Sequence, residues 1–307
     1  MKVKKFSKWS TRILLDSFML LVVIGGMCQN PYHTNHNLKL VVGDTTTKYD
    51  SIHCSNPVVS MDEVVYYLCM DRDSAGDYDF AIGAVYSINS DGSNNQKILN
   101  GNFNALAISK DAQKLAVHPY SGNYPNYTPD SLVLILRIFD SEIDSYPISK
   151  KEVRDIEFGN DGQRVYYAIE IFSYPSKTEI YQLNLSDSTN ELVFSSDRLF
   201  GFDLSTNDSI YFDSLMARPQ INPIQEEFVI GTYGYERYEF LLRNTIMHKL
   251  DTLPDSLMPY YDGSVGYPYW FPNGKDIVFM AKPYSEPAGV SSGEIWILEN
   301  VFEQIVE

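Results

Sequence analysis

The sequence predicts an all-β fold, and three observations lead to this prediction. Of its 307 residues, 44% are hydrophobic and 21% are charged, which excludes a disordered chain and indicates a large buried core. Tyrosine and phenylalanine are abundant, at 23 and 16 residues, and both fit the half-buried surface of a pleated sheet. After residue 40, no stretch shows the sustained 3.6-residue periodicity and the caps of an amphipathic helix.

A hairpin pattern recurs along the chain at intervals close to 50 residues. Each copy has an apolar residue, a polar turn and then an apolar strand, and most turns contain the Asp, Asn, Gly or Pro of a tight β-hairpin. A shorter hairpin lies between residues 200 and 213, after the third full copy. The full copies are Val59–Tyr66, Ile108–Val117, Phe158–Tyr167, Ile221–Ile230 and Trp270–Phe279.

A second pair of predicted strands follows the hairpin in the first, third and last copies. In the last copy this pair is Glu294–Leu298 and Phe302–Val306. Four short antiparallel strands in about 50 residues form one blade of a β-propeller. The other pairs are Gly83–Asn89 with Gln96–Leu99, and Glu179–Leu185 with Glu191–Phe194.

Two segments, Val85–Leu99 and Tyr269–Phe279, closely resemble the repeats of TolB-type β-propellers. Those repeats carry a Trp/Phe-Ser-Pro-Asp-Gly turn and a later Asp-Gly-Ser turn. Here Lys110–Ala112 departs from the pattern by lacking the glycine, and Pro223–Gln225 lacks both Asp and Gly. The resemblance implies a single propeller of six blades, with the short hairpin as a reduced blade. Five blades are the alternative, if that hairpin is an insertion.

The N-terminus has the order of an export signal. Five basic residues precede an 11-residue apolar run, Ser17–Met27, which is too short to span a bilayer. The segment Ile24–Cys28 resembles a bacterial lipobox, in which the cysteine is lipid-modified and becomes the mature N-terminus. Met27 departs from the small residue that is usual before that cysteine. Plain secretion and an uncleaved anchor are the alternatives.

The lipobox and the propeller repeats together divide the chain into three parts: a signal peptide at 1–27, a lipid-linked tether with a first strand at 28–50, and the propeller at 51–307. They imply a lipoprotein of the cell envelope whose Cys28 carries fatty acyl chains such as palmitate. The first acidic residue after Cys28 is Asp44. By analogy with known sorting signals, this distance favours anchoring in the outer membrane, with the propeller on the periplasmic side.

The charge of the chain excludes one class of partner. The formal net charge is -16, and outside the segment 1–27 the chain has 19 basic and 39 acidic residues. Such a surface repels the phosphate backbone of nucleic acids, and it disfavours docking on anionic lipid. A protein or a glycan of the envelope is therefore the expected partner.

Cys54 and Cys69 flank the first predicted hairpin, in a compartment where disulfides form. The hairpin register places Cys54 opposite residue 69 or residue 70. If the opposite residue is 70, the two cysteine side chains point to different faces of the sheet. A disulfide and a pair of small buried residues are the two alternatives.

Tyrosines crowd three segments between predicted strands. Because tyrosine offers a rigid contact area with a polar tip, these segments are candidate binding loops. The alternative is that a tyrosine-rich chain has tyrosine in every region. The candidate binding residues are Tyr120, Tyr124, Tyr127, Tyr233, Tyr235 and Tyr238, and the third segment holds Tyr260, Tyr261, Tyr267 and Tyr269.

Four acidic residues near Gly76 resemble a calcium-binding loop, because hard cations bind several carboxylate oxygens on one short loop. The EF-hand pattern fails at Ala75 and at Ile82, so a solvated acidic loop is the alternative. No other cofactor is expected. The candidate calcium ligands are Asp71, Asp73, Asp77 and Asp79.

Catalytic motifs in the sequence are weak. The segment Gly289–Gly293 has the G-x-S-x-G pattern, but the last histidine is His248, so no histidine follows the serine as the hydrolase order requires. His118 opens a loop rich in proline and tyrosine and belongs to no histidine cluster. The sequence favours a non-catalytic propeller that binds or scaffolds a protein or glycan through loops on one face. The alternatives are an enzyme similar to polysaccharide lyases and an accessory propeller of a peptidase system without its hydrolase domain.

Overall fold

A computed structural model describes most of the chain from residue 37 onward. All described residues lie in one compact unit, Asn37–Glu307. Among them no helix has both the length and the apolar character that crossing a membrane requires. Cys28 and the predicted signal peptide lie outside the described residues. The described ranges are 37–43, 52–71, 83–121, 128–148, 153–171, 177–197, 201–213, 216–233, 240–247, 249–252, 264–282 and 293–304.

The described chain consists of short β-strands and a 3-10 helix at Val301–Gln304. The first eleven strands are β1 (Leu38–Val42), β2 (Ile52–Val59), β3 (Val64–Asp71), β4 (Gly83–Asn89), β5 (Gln96–Ile108), β6 (Lys114–Ser121), β7 (Thr128–Pro129), β8 (Leu132–Arg137), β9 (Ile143–Pro147), β10 (Val153–Phe158) and β11 (Arg164–Ile171). The others are β12 (Lys177–Asn184), β13 (Asn190–Ser196), β14 (Asp203–Leu204), β15 (Ile210–Tyr211), β16 (Met216–Ile221), β17 (Phe228–Tyr233), β18 (Phe240–Asn244), β19 (Lys249–Thr252), β20 (Ser264–Trp270), β21 (Ile277–Lys282) and β22 (Glu294–Leu298).

Within the described residues, these strands form five four-stranded antiparallel units and one two-stranded ladder. The long strand β5 belongs to two units, because its first half pairs with β4 and its second half with β6. The short strand β7 pairs with the end of β6. In chain order the units are β2-β3-β4-β5, β5-β6-β8-β9, β10-β11-β12-β13, β14-β15, β16-β17-β18-β19 and β20-β21-β22-β1.

Consecutive units contact each other through the first strand of each unit, called here the inner strand. β5 contacts β2 and β10, and β20 contacts both β16 and β2. β14 contacts β16, and the Phe202 N–H beside β14 donates to the Asp155 carboxylate of β10 at 3.3 Å. The units therefore form a closed ring, which confirms the predicted all-β propeller. The count of six blades stays a prediction, because the fourth unit has only two strands in the described residues.

The ring closes because β1 completes the last unit by pairing with β22. The sequence analysis predicts that Phe302–Val306 takes this place as a strand, and that prediction is wrong for the part that the structure describes. The edge of β22 is already paired with β1, and residues 301–304 form a helix instead. Phe302 stacks on Trp270, with 5.7 Å between the ring centroids.

A backbone hydrogen bond also joins the first unit to the last. The N–H of Cys54 donates to the carbonyl oxygen of Gly293 at 2.9 Å. A Cβ atom on Gly293 would lie 2.3 Å from the Cys54 carbonyl oxygen, so this approach of two backbones requires glycine. The last glycine of the G-x-S-x-G pattern thus has a packing role.

The hairpin turns between inner and second strands share a backbone geometry. In five of the described turns, the fourth residue is left-handed and its N–H donates to the carbonyl of the first. Ala112 adopts a φ of 56° at this position, where the left-handed conformation costs about 1 kcal/mol for a residue with a Cβ atom. The turn therefore forms even in copies that lack glycine. The fourth residues are Glu63, Ala112, Gly162, Asp208 and Gly274.

Polar side chains connect the turns of neighbouring units, whereas apolar side chains fill the space between the sheets. One buried apolar cluster joins the first and last units, and another joins the second and third. The core of the protein thus lies between the blades. The turn connections include Lys114 Nζ to the Gly162 carbonyl at 2.8 Å, Asn160 Nδ2 to the Ser205 carbonyl at 2.9 Å and Asn222 Nδ2 to the Gly274 carbonyl at 2.7 Å.

In the ladder between β2 and β3, Cys54 lies opposite Cys69, and the structure joins their sulfur atoms in a disulfide. This is the register in which both side chains lie on the same face of the sheet. Cys54 is also the residue that bonds to Gly293, so the disulfide lies next to the closure of the ring. Pairing of the two cysteines in the natural protein stays a prediction.

We expect reduction of this disulfide to lower the free energy of unfolding by about 3 kcal/mol, because it closes a loop with a sequence separation of 15. Urea unfolding of the protein purified under oxidising conditions, with and without reductant, measures the effect. Reductant should leave the double variant Cys54→Ser/Cys69→Ser unchanged. Labelling of both thiols before any reduction would contradict the pairing.

Candidate functional site at the propeller axis

The inner strands carry an irregularity at equivalent places. The pairing of β2 with β3 shifts register between Ser55 and Val58, and β5, β10, β16 and β20 show equivalent shifts. Bulges of this kind bend a strand and redirect its side chains, and they tolerate proline, which cannot donate to the ladder. In three strands the bulge residue has a positive φ and precedes a proline: Asn56-Pro57, Arg218-Pro219 and Tyr267-Pro268.

Two sets of equivalent positions follow from the bulges, one four residues before the first turn residue and one two residues before it. Because strand side chains alternate, these positions share a direction. We call the first set the bulge ring and the second set the turn-side ring. The bulge ring is Asn56, Ala105, Asp155, Gly201, Arg218 and Tyr267, and the turn-side ring is Val58, Ala107, Glu157, Asp203, Gln220 and Tyr269.

Two cavities lie along the axis between the inner strands. The second is the larger of the two and extends to the hairpin turns. Glu157, Gln220 and Tyr269 line both cavities, so they mark the point where the two meet. The first cavity is also lined by Asn56, Asp155, Arg218 and Tyr267. The second is also lined by Asp203, Asn160, Asn222, Lys110 and Glu226.

The carboxyl group of Asp203 is held by backbone donors. The N–H groups of Leu204 and Ile221 donate to its two oxygens at 2.7 Å and 2.6 Å. Burial raises the pKa of Asp203 to about 7, and the nearby Asp155 contributes to the rise while the two N–H groups and Lys110 oppose it. At neutral pH, Asp203 is therefore divided between its protonated and its charged form.

The carboxyl groups of Glu157 and Asp155 lie on the same strand, β10. Burial raises the pKa of Glu157 well above its usual range, and the charges of Asp203 and Asp155 raise it further. The Gln220 amide donates to Glu157 Oε1 at 3.2 Å. Burial also raises the pKa of Asp155, against the opposing effect of Arg218. The side chains of Asp155, Glu157 and Asp203 are surrounded by protein, but each remains partly exposed.

Arg218 is the basic residue that lines the first cavity. Its guanidinium carbon lies 3.8 Å from the centre of the Tyr267 ring, in a cation–π contact, and a terminal nitrogen donates to the Arg154 carbonyl at 3.4 Å. Tyr269 lies on the same strand as Tyr267, and burial next to Glu157 and Asp203 raises the pKa of its hydroxyl. Tyr269 therefore presents a neutral ring to the first cavity, which the Tyr267 side chain also lines.

A buried hydrogen-bond network supports the axis on the side of β2 and β5. Asn56 Nδ2 donates to the Asn104 carbonyl at 2.7 Å, and Asn104 Nδ2 donates to the Val153 carbonyl at 2.8 Å. Asn104 Oδ1 lies 2.8 Å from His118 Nδ1. Asn56 is 5% exposed, and its Oδ1 accepts no hydrogen bond from the described residues. The axis thus contains an acceptor that the described residues do not satisfy.

The arrangement favours binding over acid–base catalysis by histidine. His118 is fully buried, and its Nε2 lies 2.9 Å from the Asp130 carbonyl oxygen. Burial lowers its pKa to about 4, while the carbonyl and carboxylate of Asp130 oppose the shift. Both ring nitrogens face protein atoms, so the imidazole supports the network and is not presented to either cavity.

Comparison with solved structures finds several similar chains. The structure is similar to TolB from Acinetobacter baumannii, with a TM-score of 0.39 and 11% identity over 80% of this chain and 54% of that one. It is also similar to a putative TolB from Agrobacterium tumefaciens, with a TM-score of 0.40 and 12% identity over 76% and 71% of the two chains. Acylaminoacyl peptidase gives a TM-score of 0.43 and 11% identity over 75% of this chain and 43% of the peptidase.

The chain spans about half the length of the Acinetobacter protein. By sequence, no family model and no curated protein matches the chain. The description of the fold as a propeller rests on the ring of sheets itself.

Of the predicted tyrosine sites, the structure describes the side chain of Tyr120. This residue is 8% exposed, its ring packs edge-on against His118, and its hydroxyl accepts from Asn104 Nδ2 at 3.3 Å. Tyr120 therefore stabilises the network from within. Tyr233 is described by its backbone, at the end of β17. Tyr124, Tyr127, Tyr235 and Tyr238 lie outside the described residues.

The candidate calcium ligands lie largely outside the described residues. Asp71 ends β3, and its side chain is not described, nor are Asp73, Asp77 and Asp79. In the part of the chain that the structure describes, no group of three His, Cys, Asp or Glu side chains is arranged to hold a metal ion. The calcium site stays a prediction.

The three tyrosine-rich segments are attached at the same end of the ring. β6 ends at Ser121, β17 ends at Tyr233, and β20 begins at Ser264. Because second strands run antiparallel to inner strands, these strand ends lie opposite the hairpin turns. We call this the loop end of the propeller, and the other the turn end.

The residues of the axis were not among the sequence-based candidates, except that Tyr267 and Tyr269 stand in a segment noted for its tyrosines. One signal in the sequence marks some of them. Pro57, Pro219 and Pro268 each stand three residues before the first turn residue of their hairpin. A proline at a fixed place in a repeated strand indicates a bulge, and the residue before it lies at the axis.

We expect His118→Ala to lower the free energy of unfolding by about 2 to 4 kcal/mol, because it leaves a cavity in the core and removes the N–H that the neutral imidazole donates to one of two nearby acceptors, Asn104 Oδ1 or the Asp130 carbonyl. Urea unfolding measures the loss. Gln113→Ala, an exposed position in the turn just before the same strand, should change stability by less than about 0.5 kcal/mol. A stable His118→Ala protein that has lost an eliminative activity on a glycan would contradict this structural role.

Proposed function

We propose that this protein is a non-catalytic binding protein of the bacterial cell envelope, which holds a protein or glycan partner at the loop end of its propeller. The observation that carries the proposal is the common attachment of three tyrosine-rich segments at that end. Tyrosine-rich segments supply contact area at low conformational cost. Segments that surround one axis can contact a single partner together.

The polar axis supports the same proposal. Cavities that bind ligands combine a mainly apolar or aromatic lining with a few polar groups that fix orientation. The first cavity combines Tyr267 and Tyr269 with the carboxyl groups of Asp155 and Glu157. A partner at the loop end would meet the bulge ring first, because the bulge positions precede the turn-side positions along each inner strand.

The proposed location in the envelope rests on the sequence of the N-terminus. A short apolar run after basic residues is typical of a signal peptide, and Cys28 follows it directly. A single lipid-modified cysteine with several acyl chains would hold the propeller at a membrane surface. The segment up to β1 at Leu38 would then serve as the tether.

We expect Cys28→Ala to abolish acylation and to release the protein into the soluble fraction of the envelope. Metabolic labelling with a palmitate analogue and cell fractionation measure the two effects. Met27→Ala is the matched control, because it introduces the small residue that lipoboxes prefer and should preserve both acylation and membrane attachment. Retention of Cys28→Ala in the membrane would instead indicate an uncleaved anchor.

We expect a photo-crosslinking residue at position 124 or 235 to capture an envelope partner, which mass spectrometry then identifies. The control position is Phe139, a 98% exposed aromatic residue in the turn between β8 and β9, at the turn end. With the partner in hand, Tyr124→Ala or Tyr235→Ala should weaken binding by about 30-fold, as is typical for a central aromatic contact. Equal crosslinking from position 139, or none from the loop end, would contradict the proposal.

A further inference from the structure

We propose that the axis binds one cationic group, an alkylammonium or a guanidinium, with its head against Glu157 where the two cavities meet. The inference rests on the proposed binding function and names the chemistry of the group that the site recognises. Two sources share this chemistry: a lysine or arginine side chain of a protein partner, and a free polyamine.

The first argument is the balance of charge along the axis. Among the described residues, four carboxyl groups line the two cavities, those of Asp155, Glu157, Asp203 and Glu226, whereas the basic side chains are Arg218 in the first and Lys110 in the second. Arg218 is already engaged by the Tyr267 ring and the Arg154 carbonyl. The axis therefore has more carboxyl groups than basic side chains, and a further cation would favour the charged form of a carboxyl group there.

The second argument is independent of the carboxyl groups and comes from Asn56. This residue is only 5% exposed, and it lines the first cavity. Its Nδ2 donates to the Asn104 carbonyl oxygen. The Oδ1 of this lining residue accepts no hydrogen bond from the described residues. A buried acceptor that lacks a donor costs free energy, and an N–H group of a ligand would remove that cost.

The third argument concerns the shape of the bound group. Ammonium and guanidinium groups carry only donors, so they match a site whose free groups are acceptors. Tyr267 and Tyr269 add aromatic rings beside the first cavity. The stacking of Arg218 on Tyr267 at 3.8 Å shows that this wall accepts a guanidinium face.

Protonation of the carboxyl groups links this binding to pH. The groups around the cation are Asp155 and Glu157 of β10, Asp203 of β14, Arg218 of β16, Tyr269 of β20, and Lys110 and Glu226 at the turn end. Without a ligand, burial and mutual repulsion favour the protonated acids. A cation favours the charged form, so its binding transfers a proton from a carboxyl group to the buffer, and affinity rises as the pH rises.

The test is isothermal titration calorimetry on the full exported protein in detergent. The probes are Nα-acetyl-arginine methylamide, the isosteric citrulline compound, and spermidine. We expect the arginine compound to bind at least about tenfold more tightly than the uncharged citrulline compound. A lower dissociation constant for the arginine compound than for spermidine assigns the site to a partner side chain, and the reverse order assigns it to a free amine.

Glu157→Gln keeps the acceptor for Gln220 and removes the charge, so it should weaken binding of the arginine compound by about 30-fold or more. Glu191→Gln, the same substitution on the exposed outer strand β13, should leave the affinity unchanged. If Glu157→Gln does not fold, the natural protein can be titrated with the arginine compound in buffers of different ionisation enthalpy. The difference in heat measures how many protons are released on binding. We expect release of up to about one proton per cation bound.

Equal affinity for the arginine and citrulline compounds, or no binding of any probe at about 1 mM, would overturn the inference. Crosslinking from the loop end separates this failure from failure of the proposed function. If a partner is captured there and Glu157→Gln binds it as tightly as the natural protein does, the binding function stands and the cation site does not. If the probes bind but no partner is captured, the cation site stands without the proposed function.

Discussion

The ring closes where the first and last units meet, and the last unit contains both the first and the last strand of the described chain. β1 pairs with β22, and β22 begins beside Gly293, whose carbonyl accepts from Cys54 of β2. This contact leaves no room for a side chain at position 293. The disulfide between Cys54 and Cys69 and the buried cluster of the first and last units lie at the same junction. This junction joins the first inner strand, β2, to the unit that contains the last one, β20.

Closure also determines which positions can be polar. Apolar side chains pack between the sheets, but inner strands around a common axis leave cavities that their side chains do not fill. Burial there raises the pKa of Asp203 to about 7, above the value of about 4 in an unfolded chain. A carboxyl group with a raised pKa in the folded state favours folding below pH 4, and this contribution is lost as the pH rises to about 7. At neutral pH the acids of the axis therefore reduce stability, and uncharged residues of similar volume would avoid the cost.

The sequence allowed the hairpins and their repeat to be predicted because these depend on local chemistry. Alternation of apolar residues and turn residues identifies the strands around Val165 and Val278 without knowledge of their neighbours. The role of β1 and the helix at Val301–Gln304 could not be predicted in this way, since both depend on pairing between the two ends of the chain. The axis residues follow from bulges, and only Pro57, Pro219 and Pro268 mark these in the sequence. Tyr120 was a candidate binding residue because the sequence indicates where a loop begins. The same pattern does not indicate whether a side chain at that boundary is buried.

The axis and the loop end are connected through one strand. Asn104 contacts the axis through Asn56, and it contacts β6 through His118 and Tyr120. Just beyond them, the Ser121 hydroxyl donates to the Asp130 carboxylate at 2.6 Å. The carbonyl oxygen of Asp130 lies 2.9 Å from His118 Nε2. Both ends of the first tyrosine-rich segment are thus fixed to the network that positions Asn56. A partner that contacts this segment and also reaches into the axis would meet groups whose relative positions are set before binding, which reduces the ordering cost of association. The buried network would then contribute to binding as well as to the stability of the fold.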